Sequence, residues 1–387
     1  MMEKNAIVMS LGDPSGDPRP KRMVDLLKNQ GFVVDVISHP CKTDLGVNQH
    51  FIIPITYSFL GKVKRRLVRY ARAAVSILYL NDSVIDKFNA VLIGFNNDFC
   101  RVVSNKYDLI IVEDLFLLPL AFEIKRNAKV IFDAREYYPR QNEESFFWRL
   151  MEKPERLRLC RKYLPMVDLM LTVSPGLAHE YEKEFGIKPI VYRSTPNYIF
   201  AKPTKTSNNK IRLVHHGAAN NNRQLEKMID VVAHLDERFT LDMYLTGRLS
   251  YIRYLKRYTR KSTRVRILPP VDFDELHTML HNYDIGFHYV EPITFNLQHG
   301  LPNKLFEFIQ ARLAVAIGPS PDMSAPVRHY GCGIVSERFS IESMAAALNA
   351  LTAVDVDLLK AKSDLAAREL NFEVESEVFL NASRQFN

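Results

Sequence analysis

The sequence predicts an α/β fold of two doubly wound parallel-sheet domains, on three observations. Short apolar runs alternate with stretches of helical periodicity along most of the 387 residues. These runs are continuous in Val, Ile and Leu, as strands covered on both faces require. The chain is also longer than one hydrophobic core usually organises, and the polar segment AKPTKTSNNK (201–210) has the composition of a linker.

In chain order, NAIVMSL (5–11) predicts a strand and KRMVDLLKNQGF a helix, with Met23, Leu26 and Leu27 at helical spacing; FVVDVIS returns as a strand. AVLIGF (90–95), DLIIVED (108–114), KVIFDA (129–134) and DLMLTVS (168–174) are further expected strands. Beyond the linker, IRLVHHG (211–217), TLDMYLTG (240–247), RVRILP (264–269), DIGFHYV (284–290) and AVAIG (314–318) alternate with helices. The expected division is 1–200, a linker at 201–210, a second domain over 211–365, and a helical tail over 366–387 returning to the first domain. Ligands of such sheets bind beyond the carboxyl ends of the strands, so the cleft between two such domains is the expected site.

An apolar fraction of 47% and a charged fraction of 25% exclude a mainly disordered, collagen-like or coiled-coil chain. The net charge of +8 points to an anionic partner: nucleic acid, lipid headgroups or phosphorylated small molecules. Cys41, Cys100, Cys160 and Cys332 lack metal-ligand spacing. No signal-peptide pattern opens the sequence and no apolar run nears the ~20 residues of a membrane span, so a cytoplasmic protein is expected.

The most specific stretch is HGLPNKLFEFIQARLAVAIG (299–318). Gly300 gives a flexible approach, Pro302 suits the first helical position, and the free N–H groups and positive dipole end of the following helix form an anion site. Lys304 adds a cation, and Glu307, one turn on, is placed to reach vicinal ribose hydroxyls; an ordinary crossover helix with a surface Lys and Glu is the competing reading.

This stretch, with VRILPPVDFDELHTMLHNYDIGFHYVEP before it, resembles the C-terminal domain of family 4 glycosyltransferases of GT-B fold. The family's Glu-x7-Glu pattern places its ribose-binding Glu at Glu307 and its sugar-contacting Glu at His299, a departure. The donor loop around the helix start implies contacts from His299, Gly300, Leu301, Pro302, Asn303 and Lys304. In LVHHGAANNNRQLEKMI, Gly217 matches the glycine that ends a strand, Ala218 stands at the family's arginine position and Arg223 at its lysine position. The resemblance implies that Arg223 and Lys304 neutralise the leaving diphosphate of a UDP- or GDP-linked sugar, with no metal and no further cofactor. In the first half, LGDPSGDPRP carries Asp17 and Arg19 in a DPR motif on the acceptor side, and VIFDAREYYPR resembles an Asp-Ala-His-Glu-Tyr segment with Arg135 in place of the histidine. Arg135 and Glu136 are candidates for acceptor or donor contact, or for a salt-bridged loop pair.

The implied activity is hexosyl or related transfer, with retention, to a glycan or lipid-linked acceptor in bacterial surface polysaccharide synthesis, capsule or lipopolysaccharide. A sugar-nucleotide epimerase and a non-catalytic nucleotide-sugar-binding component are the alternatives.

GKVKRRLVRYARAAVSILYL (61–80) sets Lys62, Lys64, Arg65, Arg66, Arg69 and Arg72 beside Leu67, Val68, Ala71, Val75 and Leu78. This is an amphipathic pattern suited to the anionic cytoplasmic face of the inner membrane, or to a solvated helix face. GRLSYIRYLKRYTRKSTRVR (247–266) interleaves Tyr with cations but brings no RNA-binding motif, so no nucleic-acid partner is expected. Asp272-x-Asp274 reads as a helix cap and first turn, Asp355-x-Asp357 lies in the helical stretch that runs from about residue 340 to the end, and His215 and His216 point to opposite faces of one strand, so no metal site is expected.

Overall fold

The computed structural model describes residues 4–54, 59–77, 82–94 and 106–386. They form two compact units, Met1–Tyr192 with Asn381–Asn387, and Arg193–Leu380.

The first unit holds a seven-stranded sheet in the order β3-β2-β1-β4-β5-β6-β7. Its strands are β1 (Lys4–Met9), β2 (Phe32–Ser38), β3 (Gln49–Ile52), β4 (Leu109–Val112), β5 (Lys129–Ala134), β6 (Leu169–Thr172) and β7 (Ile190–Val191). The second holds six strands in the order β10-β9-β8-β11-β12-β13. These are β8 (Ile211–Ala219), β9 (Phe239–Gly247), β10 (Val265–Leu268), β11 (Ile285–His288), β12 (Ala314–Ile317) and β13 (Gly333–Val335). All the pairings are parallel. Every residue of β4, β6, β11 and β12 is buried, which is why their apolar runs do not alternate.

Strand order reverses between β1 and β4 in one sheet and between β8 and β11 in the other, and a reversal opens a crevice at the carboxyl ends of the strands. Helix Asn303–Gln310 sits over the second crevice. Its faces divide: Leu305, Phe306, Phe308 and Ile309 enter the core, while Lys304 and Glu307 are buried among polar groups.

Two sequence expectations change. AVLIGF is not a strand: helix Asp82–Ile93 takes most of it, because Ile85 and Asn89 recur on one buried face, and Phe95 lies outside the described residues. Pro302 is the cap rather than the first helical residue, since its ψ of 144° is extended and the helix begins at Asn303. Strands β3 and β13 escaped the sequence reading because neither is an apolar run; both lie at sheet edges. Residues 201–210 belong to the second unit, where Thr204 accepts from Lys360 and the Thr206 N–H donates to Asp357.

The first sheet is pinned from within by Arg19, 3% exposed, whose Nε and Nη2 donate to the two oxygens of fully buried Asp133 at 2.6 and 2.7 Å. Arg19→Met strands a buried carboxylate and is expected to cost about 3–5 kcal/mol. Urea unfolding checks this, and Arg19→Met combined with Asp133→Leu should recover part of the loss.

Candidate functional site

Strand β8 carries His215-His216-Gly217 ahead of its last two residues, Ala218 and Ala219. Gly217 has φ +114°, and a Cβ there would stand 3.2 Å from Lys304 Nζ, so the backbone turns closely past the ammonium group only as glycine. Lys304 is 6% exposed, and its Nζ has no hydrogen-bond partner. Burial, with the Arg223 charge added, lowers its pKa to about 7, while Glu307 pulls the other way. Arg223 follows β8 in a short 3-10 turn, donating Nη1 to the Ala218 carbonyl at 3.2 Å; burial lowers its pKa too. Glu307, one turn beyond Lys304, lies 3.2 Å from His216 Nε2.

Two histidines complete the floor. His215 and His288 stack with ring centroids 5.7 Å apart. The Phe287 carbonyl accepts from His215 Nδ1 at 2.9 Å, which leaves His215 Nε2 an acceptor without a partner. His288 Nδ1 is likewise unpartnered. Burial and then Lys304 push both rings well below the usual histidine pKa, so both are neutral. Two clustered cations without a carboxylate hydrogen bond, beside a helix start, form a place where a phosphate group would satisfy the orphaned Lys304 ammonium and the free N–H groups of the helix start.

The structure thus brings together Gly217, Arg223, Pro302, Asn303, Lys304 and Glu307. Gly300 admits the chain close to the preceding helix, since a Cβ there would meet the Asn296 carbonyl at 2.6 Å. Leu301 is buried in the core. His299, at the end of helix Phe295–His299, turns its Nδ1 to Asp322 at 2.7 Å. His215 and His288 went unmatched in the sequence; a histidine in each of two neighbouring strands at the reversal, the last residue in β11, was the available signal.

In the first unit, Asp17 caps helix Pro18–Asn29, accepting from the Arg19 N–H, and pairs with Arg135. Arg19 is occupied by Asp133. Around them lie Glu113, with neither carboxylate oxygen hydrogen-bonded, and Asp114, which accepts from the Leu11 N–H at 2.6 Å. Burial raises the Glu113 pKa well above the carboxylate range and brings that of Glu136 to about 7. Burial opposes the Arg135 charge, but Glu113, Asp17 and Asp114 together hold its pKa above the ordinary value. Glu113 was missed because it extends an apolar run, IIVED, and reads as the end of a strand.

Among the described residues there is no His, Cys, Asp or Glu cluster able to hold a metal and no helix long and apolar enough to cross a membrane. Cys41, Cys160 and Cys332 are free thiols, and Cys100 lies outside the described residues.

No protein-family model matches the sequence, and no curated protein does. Solved structures do. Sucrose-phosphate synthase of Thermosynechococcus elongatus is similar over 99% of both chains, with a TM-score of 0.71 and 11% identity. Anabaena HepE, solved with UDP and glucose, gives 0.67 and 11% over 99% of this chain and 100% of its own. WaaG, a glycosyltransferase of lipopolysaccharide biosynthesis, gives 0.63 and 12% over 98% of both. These neighbours are glycosyltransferases of GT-B type, and the fold of two Rossmann-like domains is the one they share with this chain.

A buried, unpartnered ammonium costs stability. Between pH 7 and about 10 the unfolded chain binds the Lys304 proton that the folded chain has lost, so stability rises with pH across that window. Lys304→Met is expected to be neutral or stabilising by about 1–4 kcal/mol near pH 7 and to flatten that rise. Unfolding midpoints at pH 6, 7, 8 and 9 test it; a destabilised variant with an unchanged pH slope contradicts the orphaned ammonium.

Proposed function

We propose that the protein is a metal-independent glycosyltransferase, of family 4 type, that takes its sugar from a nucleotide diphosphate. The observation that carries this reading is the unpartnered Lys304 ammonium beside Arg223 at the start of helix Asn303–Gln310, beneath the closely turned Gly217. The diphosphate is held by these two cations and by N–H groups of the helix start, and Glu307 accepts from the ribose hydroxyls. As the bond between the anomeric carbon and the terminal phosphate oxygen breaks, that oxygen gains charge, and Lys304 and Arg223 stabilise it as fixed cations in a water-poor site. The sugar passes to an acceptor hydroxyl, whose proton goes to the phosphate oxygen released by the breaking bond.

The GT-B fold, and neighbours solved with UDP and with UDP-glucose, support a nucleotide-sugar donor. Hexosyl transfer with retention, to a glycan or lipid-linked acceptor in bacterial surface polysaccharide synthesis, is the finer form of the proposal, resting on resemblance. Its setting is cytoplasmic, at the inner face of the membrane.

Titration calorimetry with UDP, GDP and UDP-glucose is the direct test. One nucleotide diphosphate should bind, and Arg223→Ala and Glu307→Ala should each weaken it at least about tenfold, the cost of one charge-assisted hydrogen bond. Absence of binding to all three, or unchanged affinity in both variants, removes the site. Release of free nucleotide only on addition of an acceptor separates transfer from epimerisation.

Donor affinity should also depend on pH. The phosphates of UDP-glucose do not titrate near neutrality, so its binding must recharge Lys304. Affinity is then flat below pH 7 and falls by up to about tenfold per unit above it, whereas Lys304→Arg should show no such fall.

A further inference from the structure

Helix Phe59–Ile77 does not present all its cations to solvent. Arg72 is 3% exposed and donates to Asn89 and to Glu152. Arg65, Arg66 and Arg69 turn instead toward a groove of about 880 Å³ in the first unit, roofed by helices Phe146–Met151 and Lys153–Tyr163. Lys62 has no described side chain and Leu78 lies outside the described residues.

The groove lining is unbalanced in charge. Five guanidinium groups, Arg65, Arg66, Arg69, Arg72 and Arg156, face one lining carboxylate, Glu152. Glu152 is already shared by Arg69, Arg72 and Arg156 at 2.9, 2.6 and 3.0 Å. Arg65 and Arg66 have no carboxylate among the lining residues. Two buried donors are also unmet: Arg72 Nε and Trp148 Nε1, the latter on a side chain 8% exposed.

The lining also has an apolar share, Leu11, Leu92, Ile93, Phe116 and Met151, of which Phe116 lies beneath the Arg72 and Arg156 guanidinium groups, and Phe147 is 57% exposed; His39, Tyr70, Asn89 and Ser145 are its other polar members. Phe146 and Leu67, 70% and 63% exposed, continue the apolar surface outside. A site with excess cations, orphaned donors and an apolar extension fits a ligand with an anionic head and a hydrocarbon body.

We propose that this groove binds an anionic amphiphile, a phosphate or diphosphate monoester of a long-chain alcohol. Its head lies against Arg65, Arg66 and the Trp148 N–H, and its chain runs along Leu92, Ile93 and Phe147. That this amphiphile is the sugar acceptor rests on the transferase reading; that it binds does not.

Trp148 is the sole tryptophan of the chain, so intrinsic fluorescence reports this groove alone. Titration with farnesyl diphosphate should give a saturable change in Trp148 emission. Inorganic pyrophosphate and farnesol, each carrying half of the chemistry, should bind at least tenfold more weakly. Arg65→Gln combined with Arg66→Gln should weaken farnesyl diphosphate at least tenfold and leave calorimetric UDP binding unchanged, which separates this groove from the nucleotide site and shows that the variant is folded.

Pyrophosphate binding as tightly as farnesyl diphosphate would make this a site for free phosphates and overturn the proposal. Equal binding of farnesol, indifference to the double substitution, or no change in Trp148 emission would overturn it as well. Vesicles of anionic phospholipid that shift the emission as strongly as farnesyl diphosphate, with no competition between the two, would replace a single-ligand groove by a membrane surface.

Discussion

The second unit is organised around one buried charge that its own side chains do not neutralise. Lys304 enters a space bounded by Gly217, Arg223, His215 and His288, and none supplies a counter-charge. Glu307, the one carboxylate that acts on it, is engaged with His216. The requirement propagates outward. Gly217 must be glycine because its φ of +114° is strained for any side chain, and a Cβ there would also press on the ammonium. Both buried histidines are neutral because burial disfavours their charged forms, and the Lys304 and Arg223 charges disfavour them further. The Phe287 carbonyl fixes the His215 tautomer that leaves an acceptor, rather than a donor, within this group. A site so arranged leaves a buried donor unsatisfied, the condition that an anion would relieve.

The first unit solves the opposite problem. Five carboxylates, Asp17, Glu113, Asp114, Asp133 and Glu136, gather near the carboxyl ends of β4 and β5, and two arginines are distributed among them. Arg19 is committed to Asp133 and Arg135 to Asp17. Glu113 has no hydrogen-bonded partner, and burial resolves the conflict by keeping its proton. The arginine where the resembling family has histidine is the physical counterpart of this acidity. A neutral imidazole beside Asp17, Glu113 and Asp114 would leave more charge uncompensated, whereas Arg135 is held firmly cationic by those groups.

Much of this was legible in the sequence, and the limits follow from what each pattern encodes. Apolar continuity records burial on two faces, so central strands such as β4 and β12 were plain, while the edge strands β3 and β13, half exposed, carried no such signal. The same rule misled at AVLIGF, where an apolar run belongs to a helix end; a run of six residues does not distinguish the two. Motif spacing found Lys304, Glu307 and Arg223 because one helix turn and one loop set their geometry. His215 and His288 are 73 residues apart in number and meet only because β8 and β11 are neighbours in the sheet, a pairing that no local pattern records.

Charge was the least legible property, since composition counts charges without saying which are spent. Arg72 and Arg66 are six residues apart on one basic helix, yet one is a strut bound to Asn89 and Glu152 while the other is exposed and bonded through Nε to Tyr70. Their difference arises from register. Residue 72 falls on the face that meets the buried Asn89, whereas residue 66, 600° around the axis at 100° per residue, reaches the same groove only from its exposed side. An amphipathic helix is commonly read as one polar and one apolar face, but here the cations themselves divide between a buried ion pair and the open side of a groove. The net charge of +8 therefore overstates the charge free to attract a membrane, because Arg69, Arg72 and Arg156 are committed to Glu152 while Arg65 and Arg66 have no carboxylate in the groove.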